Sequence, residues 1–178
     1  MHKLTKIFLV TILLHIGICP NGQSGYEKTS WGMSIKKVQG LYPGGSVKNQ
    51  QNGEATYAVV RPVSVFSTGL VLFEFTKDGL ERVQILFPKQ GSKVNLKNLT
   101  YDEPSSADSK TIFDVLKNNL TLKYGAPDPL SQPDKVVWSQ KNDAVFLATT
   151  TSDDNPGHRT VGVSYSKIPT IKSATKGI

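Results

Sequence analysis

The stretch "GLVLFEFTKDGLERVQILF" (69–87) constrains the fold of this chain more than any other. Val71, Phe73 and Phe75 alternate with their neighbours before Asp78-Gly79, and Val83, Ile85 and Phe87 alternate after it. A period of two puts alternate side chains on one side of an extended backbone, so both arms read as strands with an apolar face. Asp-Gly between them predicts a type I′ turn and an antiparallel hairpin. The other face carries Glu74, Thr76, Arg82 and Gln84. That pattern predicts a sheet covered on one side and wet on the other.

Two helical stripes can supply the cover. In "SWGMSIKKVQGLYPGG" (30–45), Ser34 is a good N-cap residue, and Met33 and Val38 have the spacing of a hydrophobic staple around it. Ile35, Val38, Leu41 and Tyr42 fall on one stripe, and Pro43-Gly44-Gly45 stops the helix. Trp31 is expected to fold back as a core plug, with Gly32 permitting the close approach. The second helix is "SKTIFDVLKNNLTLKYG" (109–125), with Ile112, Phe113, Leu116, Leu120 and Tyr124 on its apolar side. Asp108 or Ser109 is expected to cap its start and Gly125 its end, before Pro127.

Further strands are expected at 55–66, where Pro62 implies an edge strand or a bend, and at 135–140, 144–151 and 160–167. Trp138 is expected in the core. The fold class that follows is α+β, with two helices on one face of an antiparallel sheet, in the order α-βββ-α-βββ. Both halves read as a helix ending near Tyr-Pro-Gly or Tyr-Gly-Ala-Pro and then antiparallel strands, a weak internal duplication at most. Residues 88–108 form a polar connection, long for a structureless loop, that is expected to be partly mobile or to pack as a flap.

The N-terminus reads as a leader. His2, Lys3 and Lys6 precede the apolar run "IFLVTILLHIGIC" (7–19), which falls short of the ~20 residues a membrane span needs. Gly22 and Ser24 suit a signal peptidase, so residues 1–24 are expected to be a signal peptide cleaved after Ser24, leaving a single domain at 25–168 and a flexible tail at 169–178. Lipidation at Cys19 is the minor alternative, since Ile16 and Ile18 make a poor lipobox. With Cys19 gone the exported chain has no cysteine, hence no disulfide and no thiolate chemistry. A chain of this size buries roughly 70 % of its unfolded surface and can stand on its core. Losing Lys3 and Lys6 lowers the net charge from +7 to +5. The remaining basic residues are scattered lysines apart from Arg61, Arg82 and Arg159, a pattern of solubility rather than of specific nucleic-acid recognition.

Catalytic patterns are missing from the sequence. It contains no G-x-S-x-G, no H-E-x-x-H and no phosphate-binding glycine loop. His158 follows Asp153 and Asp154 in "SDDNPGH" (152–158), which reads as a polar turn and not as a metal site. Glu74 and Glu81 could act as a glycosidase pair only if the fold set them about 5–10 Å apart across a cleft. No catalytic residue, metal ligand or cofactor is therefore expected. The one suggestive cluster is Arg82, Lys89, Lys93 and Lys97 near Tyr101, a basic surface suited to an acidic partner or to an envelope surface.

"WGMS…V…LYP", "F-E-F…D-G-L…V…F", "L…L…KYGAP", the strand tryptophan and the closing "V-S-Y-S" together resemble a broad group of small exported bacterial proteins, many without an assigned function. The pattern runs from Trp31 to about Ser166. It is also similar to the helix-plus-sheet modules of β-lactamase inhibitory protein and of the small outer-membrane assembly lipoproteins, which act by protein contact. The resemblance implies a non-enzymatic, periplasmic or secreted domain whose partner is another envelope or secreted protein. It transfers no catalytic residue, because the matching positions are caps, turns and core. The expected alternative is a small-ligand or anion-binding periplasmic protein, with an exported hydrolase third.

Overall fold

The computed structural model describes residues 25–49, 53–63, 66–151 and 158–168. The expected leader with Cys19, the tail, and Asp153 and Asp154 lie outside the described residues. The chain is α+β. Helix α1 (Ile35–Leu41) is followed by β1 (Ser46–Asn49), β2 (Ala55–Val63), β3 (Phe66–Thr76) and β4 (Gly79–Leu86). Helix α2 (Ser106–Tyr124) then leads to β5 (Lys135–Ser139), β6 (Asp143–Thr151) and β7 (Arg159–Lys167). All seven strands form one antiparallel sheet in the order β1-β2-β3-β4-β7-β6-β5, so two meanders meet at the β4–β7 pair. No helix among the described residues is long and apolar enough to cross a membrane.

The first half thus has four strands where three are expected. The extra one, β1, is only "SVKN", too short and too polar to show a period. Tyr57 fixes its start: its hydroxyl donates to the Tyr42 carbonyl and accepts from Gly45 N–H at 2.9 Å. Pro62 lies at a register shift in β2, so it marks a bend and not an edge.

The central hairpin forms with a different turn. Thr76 pairs with Gly79, leaving Lys77 and Asp78 as the loop, and Gly79 takes φ +98. Lys77 and Asp78 keep negative φ, so the turn is not type I′. Gly79 is instead the left-handed residue, and Glu81 is the extra residue of a bulge beside it. The reason is a neighbour. Gly32 N–H donates to the Leu80 carbonyl at 2.8 Å, and Leu80 N–H donates to the Met33 carbonyl at 3.0 Å. A Cβ on Gly79 would lie 2.3 Å from the Gly32 carbonyl oxygen, and Gly32 itself takes φ +80, so both glycines suit this clasp.

The clasp explains the Trp-Gly-Met-Ser run. Trp31 packs against the core while its indole N–H donates to Asp143 Oδ1. Ser34 stands at the N-cap of α1, but its hydroxyl makes no cap bond; its carbonyl accepts from Lys37 and Val38 instead. Val38 and Tyr42 are buried, whereas Leu41 is 38 % exposed and so leaves the expected stripe. Helix α2 begins earlier than expected, with Ser105 as its cap accepting from Asp108 N–H. Ser109, an expected cap, is buried within the helix and donates to the Arg159 carbonyl at 2.6 Å. Gly125 caps the far end at φ +87.

One face of the sheet lies in the core. Tyr57, Phe73, Val83, Tyr165, Val145 and Trp138 form one row across it, and each pair of neighbours is in register. Their cluster includes Val38 of α1, Tyr42 at its C-cap, and Phe113, Leu116 and Leu120 of α2. Trp138 satisfies its indole N–H on the Gly125 carbonyl at 3.1 Å. Each fully buried side chain of this kind contributes roughly 1.5–3 kcal/mol.

The opposite face is only partly wet. Thr56, Glu74, Arg82 and Ser166 make a polar row near the hairpin turn. Leu70, Leu72 and Leu86 have the same parity as Glu74 and Gln84 and share their face. Leu70 is fully buried there, and Leu72, Leu86 and Phe146 are half-buried. The expectation of a uniformly polar second face is therefore corrected: it is polar at one end and apolar at the other.

Candidate functional site

The connection between β4 and α2 holds most of the residues expected to form a contact surface. It is a built loop. Lys89 N–H donates to the Asp102 carbonyl at 2.8 Å, and Ser92 N–H returns to Lys89 at 3.0 Å. Asn95 and Thr100 bridge in both directions at 2.8 and 3.2 Å. Between them the Asn95 side chain accepts from the backbone of Lys97 at 3.0 Å and of Asn98 at 3.3 Å, while Leu99 takes φ +57. Asparagine that bonds forward to its own turn stabilises such a tip without a sheet.

The loop's return arm is tied to β7. Ser105 bridges His158, and Glu103 accepts from Thr160 Oγ1 at 2.7 Å. Tyr101 is half-buried, and its hydroxyl donates to Thr160 Oγ1 at 3.4 Å. Burial pushes the phenol pKa up, the Thr160 hydrogen bond opposes that, and the Glu103 charge adds to it.

Two depressions flank this loop. One of about 600 Å³, open to solvent, is lined by Lys93, Val94, Asn95, Leu96, Tyr101 and Asp102. The other, about 470 Å³, lies against the start of α2 and includes Phe87, Pro88, Lys89, Ser92, Pro104 and Ile112 in its wall. The Ser92 hydroxyl oxygen is buried there with no hydrogen-bond partner. Lys93 and Tyr101 thus share one depression, Lys89 lines its neighbour, and Lys97 is exposed at the tip. Arg82 stands apart on β4, where its guanidinium holds Glu74 through Nε at 2.7 Å and a second contact from Nη2. Half-exposed, that ion pair is worth about 0–1 kcal/mol.

Glu74 and Glu81 do line one depression, of about 420 Å³, with Glu54, Arg82 and Lys167. Arg82 already engages the Glu74 carboxylate there. Among the described residues no group of three or more His, Cys, Asp or Glu side chains is placed to hold a metal ion.

One polar centre has no signal in the sequence. Glu27, at φ +48, accepts from the Tyr26 hydroxyl at 2.9 Å, the Tyr42 hydroxyl at 3.1 Å and Arg61 Nη1 at 2.5 Å. Arg61 also stacks over the Tyr42 ring at 4.9 Å. Burial, reinforced by the Glu27 charge, pushes the Tyr42 phenol up to about 12. Burial takes the Lys123 ammonium down to about 8, against the pull of Glu27. These residues come from the C-cap of α1, β2, α2 and the segment before α1, so only the fold brings them together. The arrangement ties the chain's described start to the sheet, and no cavity opens onto it among those described.

Comparison with protein-family models, with curated proteins and with solved structures finds no match to this chain.

Proposed function

We propose that this chain is an exported, non-enzymatic protein-interaction domain of the bacterial envelope or extracellular space. We infer that both helices cover one face of the sheet, since the buried side chains of each join the same cluster, and that the 88–105 loop serves as a contact surface. The observation that carries the reading is a loop pinned to β7 that still presents Lys89, Lys93 and Lys97 to solvent, with Lys93 lining one depression with the half-buried Tyr101. A fixed scaffold lowers the ordering cost of binding, and lysines around an aromatic suit an acidic protein surface. The leader-like N-terminus and the resemblance to contact modules support the same reading.

The test is a pull-down of envelope proteins with the protein and with a Lys89→Glu/Lys93→Glu/Lys97→Glu variant, washed at low and at high salt. One partner that survives high salt and is lost with the variant is the expected result. Many partners lost at high salt in both would contradict it. Small-ligand or anion binding is the second reading, favoured by the depression of about 470 Å³ beside Lys89 and the unpartnered Ser92 hydroxyl. A rise in melting temperature with envelope metabolites, and no protein partner, would establish it instead.

A further inference from the structure

The sheet has two edges, and they are finished differently. At the β5 edge the chain doubles back over its own strand. Asp128 N–H donates to the Val137 carbonyl at 2.8 Å, and Val137 N–H donates to the Ser131 hydroxyl at 3.1 Å. Asp128 Oδ1 accepts from Ser139 N–H at 3.3 Å, and Gln132 and Lys135 bond in both directions. The outward backbone groups of β5 are therefore occupied by the 128–132 strap. At the β1 edge no described segment does this: beyond its ladder to β2, none of residues 46–49 makes a backbone bond to any other part of the described chain.

An edge strand's outward N–H and C=O groups are a template for another strand. Here the flanking side chains restrict which strand. Val47 is 40 % exposed and shares the core-facing side of its partner Tyr57, and Leu41 at the end of α1 is 38 % exposed. An incoming strand could place an apolar residue against Val47. Residues 25–49 contain Lys28, Lys36, Lys37 and Lys48, all exposed, and one acid, Glu27, which is held by Arg61. Glu54, next to the partner of Asn49, is the nearest opposing charge along the strand order. Pairing of two copies through β1 would put two Lys48 side chains on one four-residue ladder, which like-charge repulsion disfavours.

We propose that the β1 edge takes up an extended acidic segment of a partner protein as an eighth strand. Backbone hydrogen bonds to residues 46–49 supply the affinity, Val47 receives an apolar side chain, and the exposed Lys48 selects acidic ones. This site is separate from the 88–105 loop, and it stands or falls without that loop's role.

The experiment titrates the protein with a capped synthetic peptide of sequence Glu-Val-Glu-Val-Glu-Val-Glu, following backbone amide shifts by NMR. Three comparisons accompany it: the same peptide N-methylated at every residue, a Lys48→Glu variant, and the Lys89→Glu/Lys93→Glu/Lys97→Glu variant. The expected result is saturable shifts centred on residues 46–49. Affinity should fall about tenfold or more with the N-methylated peptide, which loses the strand's donors, and fall also with Lys48→Glu. The loop variant should bind as the unaltered protein does. Equal binding of the N-methylated peptide would overturn the proposal, because attraction by charge alone needs no strand. So would shifts centred on the 88–105 loop, or dimerisation through β1 in the absence of peptide.

Discussion

The two edge strands of the sheet face the same physical problem and solve it by different means. Both present backbone groups that need partners, because an unpaired amide or carbonyl is costly wherever water is kept away. The β5 edge is closed from within, by Asp128, Ser131 and Gln132 in the strap that precedes it. The β1 edge is short and carries Lys48, and its order comes from the inner side, where the Tyr57 hydroxyl bridges Tyr42 and Gly45. Capping an edge with the chain's own loop removes it from recognition. Leaving it short and charged deters self-association yet keeps the backbone available. Edge position in one sheet therefore does not decide whether backbone groups stay available; what lies along the strand does.

The comparison can be broken most severely at Gly45. A Cβ there would lie 2.3 Å from the Ala58 carbonyl oxygen and 2.5 Å from the Tyr57 ring, both on the strand that holds β1. Gly45→Ala should cost about 3 kcal/mol in chemical denaturation and release β1 amides to fast exchange, leaving β5 protected. Tyr57→Phe removes only the bridging hydroxyl and should cost about 2 kcal/mol, again loosening β1 first. On the other edge, Asp128→Ala removes the acceptor for Ser139 N–H and for Ser139 Oγ at 2.6 Å. These bonds are exposed, so the loss should be about 1 kcal/mol, with faster exchange confined to Ser139 and its neighbours. Equal loosening of both edges by any of these variants would contradict the separation drawn between them.

The smallest effect is a pH dependence at the polar centre behind β1. Lys123 has its pKa lowered to about 8 by burial, so between about 8 and its ordinary value of 10.5 the unfolded chain binds more protons than the folded one. Its share of stability therefore rises with pH across that window. Tyr42 and Tyr124, both raised from 10.0 to about 12 mainly by burial, act in the opposite direction above pH 10, where the unfolded chain ionises first. Melting temperature should climb modestly from pH 8 to about 10 and then fall. Lys123→Met should flatten the climb and leave the fall; an unchanged climb would show that Lys123 is not its source.

Legibility from sequence followed the range of the interactions. The hairpin, α2 and the second meander were readable because their apolar periods are local and long. Strand β1 was not, because four residues carry no period and its anchor, Tyr57, acts from the neighbouring strand. The turn at Lys77-Asp78 departs from the expected type because Gly79 answers to Gly32, distant in sequence. Leu70, Leu72 and Leu86 were on view in the same alternation as Glu74 and Gln84, so the half-apolar second face could have been read by following parity past the charged positions. Among the residues expected to form a contact surface, Lys89, Lys93, Lys97 and Tyr101 stay in the one 88–105 segment, whereas Arg82 is taken by Glu74 across the hairpin. The Glu27 centre joins four separate pieces of chain and left no local trace.

Among the described residues, one edge of this sheet is closed by the chain itself and the other is left open. Residue-resolved hydrogen exchange of the unbound protein tests it most directly. The amides of Val137 and Ser139, which meet Ser131 and Asp128, should exchange more slowly than the outward alternate amides of residues 46–49, which should exchange nearly as fast as a solvated chain. Protection along all of β1 equal to that of β5 would mean the edge is already covered, and would contradict the account.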